Sequence, residues 1–121
     1  ILIVDDEKMI AKIMQTTLES LGYRVTSCVD SRQALEQFEA RPESFDLVLS
    51  DVTMPVLTGV ELARRILLLR PELPIILCTG FSAIINEEKA KSLGIRRLLK
   101  KPVPRCDLAM ALREELDRTQ G

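Results

Sequence analysis

Short runs of Ile, Val and Leu alternate along the chain with longer stretches in which apolar residues return every three or four positions. ILIV (1–4), YRVTSCV (23–29), FDLVLS (45–50), LPIILCT (73–79) and RRLLK (96–100) predict five strands, and the first, third and fourth are apolar almost without interruption. A strand apolar on both faces is buried on both, which points to a parallel sheet with helices on each side. The first predicted helix covers about 7–20, with Met9, Ile10, Ile13, Met14, Thr17, Leu18 and Leu21 on one stripe and Gly22 at a left-handed C-terminal cap. A second covers about 31–40, between the N-cap candidates Asp30 and Ser31 and a stop before Pro42, and a third runs from Thr58-Gly59 to about Leu69, closed by Pro71. The fourth covers about 83–92 and ends at Gly94, and the fifth runs from about Pro104, a good first-turn residue, to Thr119.

This (βα)5 order, with right-handed crossovers, implies an α/β fold: a doubly wound, flavodoxin-like, five-stranded parallel sheet in the order 2-1-3-4-5. Ligands of such sheets bind beyond the carboxyl ends of the strands, near the switch point between strands 1 and 3. A length of 121 residues encloses one hydrophobic core and not two, so 1–121 are expected to form a single domain. The chain starts at Ile1, inside a predicted strand and without an initiator Met, and is therefore expected to be a piece of a longer one.

Composition narrows the chemistry. With 46% hydrophobic residues, 29% charged residues and a net charge of −1, the chain has no basic surface for direct nucleic-acid binding and no run long enough for membrane insertion. Cys28, Cys78 and Cys106 lack zinc-ligand spacing and read as free thiols of a cytoplasmic protein. There is no His, which removes the usual general base and zinc ligand, and no glycine-rich nucleotide loop.

What stands on the carboxyl edge is acidic. Strand 1 runs into Asp5-Asp6, strand 3 into Asp51, strand 4 into Thr79 and strand 5 into Lys101. Each alone has an ordinary explanation: Asp6 as a helix cap, Asp51 as a turn former, Thr79 as a β-branched strand end, Lys101 as a surface charge. Together they place complementary chemistry on one edge. Converging carboxylates demand a cation, and all-oxygen ligation suits Mg²⁺ or Mn²⁺ rather than Zn²⁺. The set fits phosphoryl transfer to a carboxylate: Asp51 attacks phosphorus, Asp5, Asp6 and Asp51 hold the metal, and Thr79 and Lys101 contact the remaining oxygens. A carboxylate at its ordinary pKa is already ionised at neutral pH, so no general base is needed.

ILIVDDE, FDLVLSDVTMPVLTGVEL, PIILCTG and LLKKPV together resemble the receiver domains of bacterial two-component response regulators over essentially the whole chain. The resemblance implies Asp51 as phosphoacceptor, Asp5 and Asp6 as the acidic metal pair, the Thr53 carbonyl as a further metal ligand, Thr79 as switch hydroxyl and Lys101 as phosphate-sensing lysine. A cis bond between Lys101 and Pro102 is implied as well. It also implies a partner histidine kinase or histidine phosphotransfer domain, with Gly80 leaving room for its imidazole. The module would catalyse only its own phosphorylation and dephosphorylation, and an output domain or downstream protein would read helix 4, strand 5 and helix 5. Phe81 is expected to slow phosphate loss by obstructing the attacking water. Two departures stand out. Leu98 occupies the usual aromatic switch position, and Arg96-Arg97 stand where regulators fused to winged-helix DNA-binding domains often carry acids. The stretch CTGFSAIINEEKAKSLGIRRLLKKPV most resembles receivers attached to hybrid sensor kinases. Aspartyl-phosphate hydrolases place a DxD after strand 1 and flavin carriers a Ser/Thr/Gly-rich loop; DDEK matches neither.

Overall fold

The most continuously apolar segments form the middle of the sheet. The computed structural model describes residues 1–52, 57–79, 87–100 and 104–120. Strands β1 (Leu2–Val4), β2 (Thr26–Cys28), β3 (Val48–Asp51), β4 (Ile75–Thr79) and β5 (Arg97–Lys100) pair in parallel in the order β2-β1-β3-β4-β5. β1, β3 and β4 are buried throughout, whereas the edge strands β2 and β5 are only partly covered. Helices α1 (Lys8–Ser20), α2 (Ser31–Ala40), α3 (Gly59–Leu69), α4 (Glu87–Ser92) and α5 (Arg105–Gln120) connect and flank them. Positions 83–86 of the predicted fourth helix lie outside the described residues.

Strand alternation divides the interior into two layers. Leu2, Val4, Val48, Ile75 and Leu77 face Phe38 of α2, Leu62, Ala63 and Ile66 of α3 and Ala90 of α4. Ile3, Leu49, Ile76 and Cys78 face Leu18 of α1 and Leu108, Ala111 and Leu112 of α5. The expected doubly wound arrangement is therefore the observed one. Among the described residues, no helix is long and apolar enough to cross a membrane.

The helix ends follow their local chemistry. The Asp30 carboxylate accepts the Arg32 N–H at 2.8 Å, and the Thr58 hydroxyl accepts the Glu61 N–H at 3.2 Å, so α2 and α3 start at side-chain caps. α1 and α4 end alike. Gly22 (φ 97°) and Gly94 (φ 90°) take the left-handed conformation, the Gly22 and Tyr23 N–H groups bond the Glu19 and Leu18 carbonyls, and those of Gly94 and Ile95 bond Lys91 and Ala90. This closure engages Tyr23 with α1, and β2 accordingly begins at Thr26 rather than at Tyr23.

The apolar stripe expected on α1 is only partly buried. Ala11 and Leu18 are enclosed and Met14 packs against the core, but Met9 (77% exposed) and Ile13 (62%) face outward. Ala11, Met14 and Leu18 are spaced to share one helix face, and the seven-residue stripe is wider than the single face α1 presents to the sheet.

Arg70, just past α3, ties the helix to the turn that leads into β3. Its Nη1 donates to the carbonyls of Pro42 (3.0 Å) and Phe45 (2.5 Å), and its Nε pairs with Glu72 at 3.1 Å. Arg70→Ala deprives two partly buried carbonyls of their charged donor and is expected to cost about 1–3 kcal/mol, read as a lower urea midpoint with unchanged slope.

Candidate functional site

β1 and β3 are neighbours in register, with Val4 opposite Ser50, so the residues that follow them, Asp5 and Asp51, emerge side by side. The Asp5 N–H bonds the Cys28 carbonyl at 3.1 Å, and its Oδ1 accepts the Glu7 N–H at 3.0 Å, just ahead of α1. The first turn of α1 is thus organised by Asp5. Glu7 sits at the N-cap position without a side-chain bond, and Asp6, exposed, is not the cap either.

Asp51 is the last residue of β3 and pairs with Cys78 of β4, while the Val52 N–H donates to the Cys78 carbonyl at 2.9 Å. Asp5 and Asp51 are buried, at 2% and 8% exposure, and each of Asp5, Asp6 and Asp51 offers a carboxylate oxygen, all within 4.8 Å of one another. Thr79, buried at the end of β4, lies one residue beyond the partner of Asp51. Lys100 is level with Thr79 on β5 and exposed. Thr53, Gly80, Phe81, Lys101 and the bond between Lys101 and Pro102 lie outside the described residues.

The donor set fits a hard divalent cation. It is all oxygen, it concentrates negative charge, and exposed Asp6 leaves its outer side open to water ligands. Sulfur ligation is disfavoured nearby: Cys28 belongs to the apolar interior, where burial, and secondarily the charge of Asp30, pushes its thiol pKa up.

Two features escaped the sequence reading. Glu115, in an apparently solvent-facing stretch of α5, is fully buried, with Arg97 Nε 3.4 Å from its Oε1 and Arg96 Nη1 4.0 Å from its Oε2; Arg97 also pairs with Glu114. Arg97 of β5 and Arg96 just before it are therefore engaged with α5. The other is the packing of Gly59 against the peptide that follows Asp51. A glycine in the first turn after a good cap, where most residues would serve the helix better, was the available signal.

A family model described as response regulator receiver domain matches residues 1–113. The transcriptional regulatory protein ZraR of Escherichia coli is 35% identical over 121 residues, covering 100% of this chain and 27% of ZraR, so the chain spans about a quarter of that relative's length. The response regulator receiver protein CpdR of Brucella abortus is 32% identical over 116 residues, covering 96% of this chain and 95% of CpdR. A receiver domain structure from Clostridium thermocellum superposes with a TM-score of 0.94 at 31% identity, covering 98% of this chain and 94% of the other. A CheY-like receiver from Methanospirillum hungatei gives 0.90 at 32%, with the same coverage. Fold, acidic pocket and relatives agree: this chain belongs to the response regulator receiver domains, the phosphoacceptor modules of two-component signalling, and Asp5, Asp6 and Asp51 form its acidic pocket.

Proposed function

We propose that Asp51 accepts the phosphoryl group, that Asp5, Asp6 and Asp51, with the Thr53 carbonyl, hold Mg²⁺ or Mn²⁺, and that Thr79 and Lys101 contact the transferred oxygens. The convergence of the three carboxylates carries this reading. An Asp51 oxygen forms the new O–P bond as the bond from phosphorus to the donor nitrogen breaks, and the departing imidazole keeps that electron pair and takes a proton from solvent. The bound cation supplies charge neutralisation at the phosphoryl oxygens. Thr79 and Lys101 add a hydroxyl and an ammonium to the same task. Such a module turns over no external substrate beyond its own phosphoryl group and is not a classical enzyme.

Receiver domains partner with histidine kinases. The outward Met9 and Ile13, one turn apart on the helix that follows Asp5-Asp6, support docking of a helical phosphodonor, a histidine kinase or a histidine phosphotransfer domain, beside the pocket. Met9→Gln/Ile13→Gln is expected to slow transfer from such a donor by about tenfold, the equivalent of 1.4 kcal/mol of lost docking energy, while labelling by acetyl phosphate stays at the parent rate. Equal slowing with both donors would place these residues in the chemistry instead.

Phosphorylation shifts an existing equilibrium of the α4, β5 and α5 surface, read by an output domain or a downstream protein. Leu98 packs against the interior from β5, and coupling there runs through packing rather than an aromatic rotamer. The receiver of a transcriptional regulator and the receiver-sized CpdR are the relatives at hand, and they do not favour the hybrid-kinase attachment suggested by residues 78–103. Incubation with acetyl phosphate and Mg²⁺ tests the central reading: the intact mass should rise by one phosphoryl group, and a parent that never labels would favour an unphosphorylated docking module.

A further inference from the structure

Gly59 is the first residue of α3, and nothing in its conformation requires glycine. Among the described glycines, the left-handed φ values belong to Gly22 and Gly94. What sets Gly59 apart is what it touches. Its N–H donates to the Val52 carbonyl at 2.8 Å, and a Cβ built on it would overlap the Asp51 carbonyl oxygen and stand 2.9 Å from the Val52 Cα and 3.0 Å from the Asp51 carbonyl carbon. All three obstacles are backbone atoms, which cannot swing aside as the end of a long side chain can. The same peptide is held from two more directions. The Ser50 hydroxyl donates to the Asp51 carbonyl at 3.0 Å, and the Val52 N–H bonds the Cys78 carbonyl of β4. On its far side, α3 is fixed by the Thr58 cap and by buried Leu62, Ala63 and Ile66.

From this geometry we infer that Gly59 is a positioning residue for Asp51: its missing side chain lets the start of α3 close onto the Asp51–Val52 peptide and hold the carboxylate against Asp5 and Asp6. The inference rests on the reading of Asp51 as phosphoacceptor and metal ligand. An added methyl group must push either α3 or the end of β3 away. α3 is anchored by its cap and its apolar face, so part of the displacement falls on Asp51. Misplacement by about 1 Å of a reacting group can cost on the order of 10²-fold in rate.

The test compares Gly59→Ala, Ser50→Ala and Leu62→Ala with the parent. Leu62→Ala serves as the stability control, since it weakens the apolar packing of α3 while keeping Gly59, Ser50 and the Thr58 cap. Each is measured where urea curves show it folded, by the acetyl phosphate labelling rate and by Mn²⁺ affinity from the resonance of the free ion. Gly59→Ala is expected to bind Mn²⁺ at least about fivefold more weakly and to label ten- to a hundredfold more slowly, on the order set by such misplacements. Ser50→Ala should show a smaller loss in the same two measurements, and Leu62→Ala should stay within about threefold of the parent in both, within the same scale. Parent-like values for Gly59→Ala, or an equal loss in Leu62→Ala, would overturn the inference. Should Gly59→Ala not fold, Ser50→Ala decides: parent-like Mn²⁺ affinity and labelling there would overturn it too. A parent that does not label, or an Asp51→Asn variant that does, would instead remove the phosphoacceptor reading on which the inference stands.

Discussion

Asp51→Asn is expected to take up no measurable phosphoryl group, from acetyl phosphate or from a histidine kinase, while folding as the parent does. An amide oxygen carries no full negative charge with which to attack phosphorus, and loss of a covalent nucleophile costs on the order of 10⁴-fold or more in rate. The neighbouring carboxylates are poor substitutes. Asp5 is buried and its Oδ1 accepts the Glu7 N–H, and Asp6 stands on the exposed side of the pocket. Asn is close to isosteric with Asp, so the Val52–Cys78, Ser50–Asp51 and Gly59–Val52 backbone contacts are kept. Intact-mass spectrometry on matched samples checks this. Labelling of Asp51→Asn at the parent's rate would move the acceptor to another residue.

Withdrawal of divalent metal is expected to have the next largest effect. With chelator present, labelling by acetyl phosphate should fall to background, and added Mg²⁺ should raise the melting temperature of the parent. The reason lies in the crowding of charge. Two carboxylates 4.8 Å apart, the outer limit for Asp5 and Asp51, repel by about 1 kcal/mol at the dielectric constant of water and by about 3 kcal/mol at an effective value of 20. A cation at 100 times its dissociation constant stabilises the folded state by about 2.7 kcal/mol. Asp5→Asn should therefore separate the two terms. It removes one charge yet keeps an oxygen able to accept the Glu7 N–H, so the metal-free variant should melt several degrees above the metal-free parent, about 4 °C per kcal/mol for a domain of this size. Its further rise with Mg²⁺ should be lost. A variant that melts below the parent without metal, or still gains from Mg²⁺, would contradict the acidic pocket as the cation site.

Much of the fold was legible because its signals are local and redundant. Uninterrupted apolar strands, glycines at the ends of α1 and α4, and the caps at Asp30 and Thr58 each act within a few residues, and all pointed to the same alternation of elements. Where a residue's fate depended on distant neighbours, local pattern misled. Met9 and Ile13 match the helical period but lie outside the face that α1 turns to the sheet, and Glu115 resembles a solvated helix charge until Arg97 of β5 and the preceding Arg96 are brought over it. The length of β2 was misjudged for a similar reason, since Tyr23 is drawn into the end of α1.

The candidate site divides along the same line. Sequence alone determined that Asp5, Asp6, Asp51 and Thr79 stand at the carboxyl ends of their strands, because strand ends and side-chain types are local properties of the chain. The predicted strand order already implied that Asp5, Asp6 and Asp51 converge, and tertiary structure decided how closely, within 4.8 Å of one another, because that distance depends on the register of β1 with β3, segments far apart in sequence. It also decided that α3 approaches the Asp51 peptide closely enough for Gly59 to matter, since that contact exists only once the apolar face of α3 is buried against the sheet.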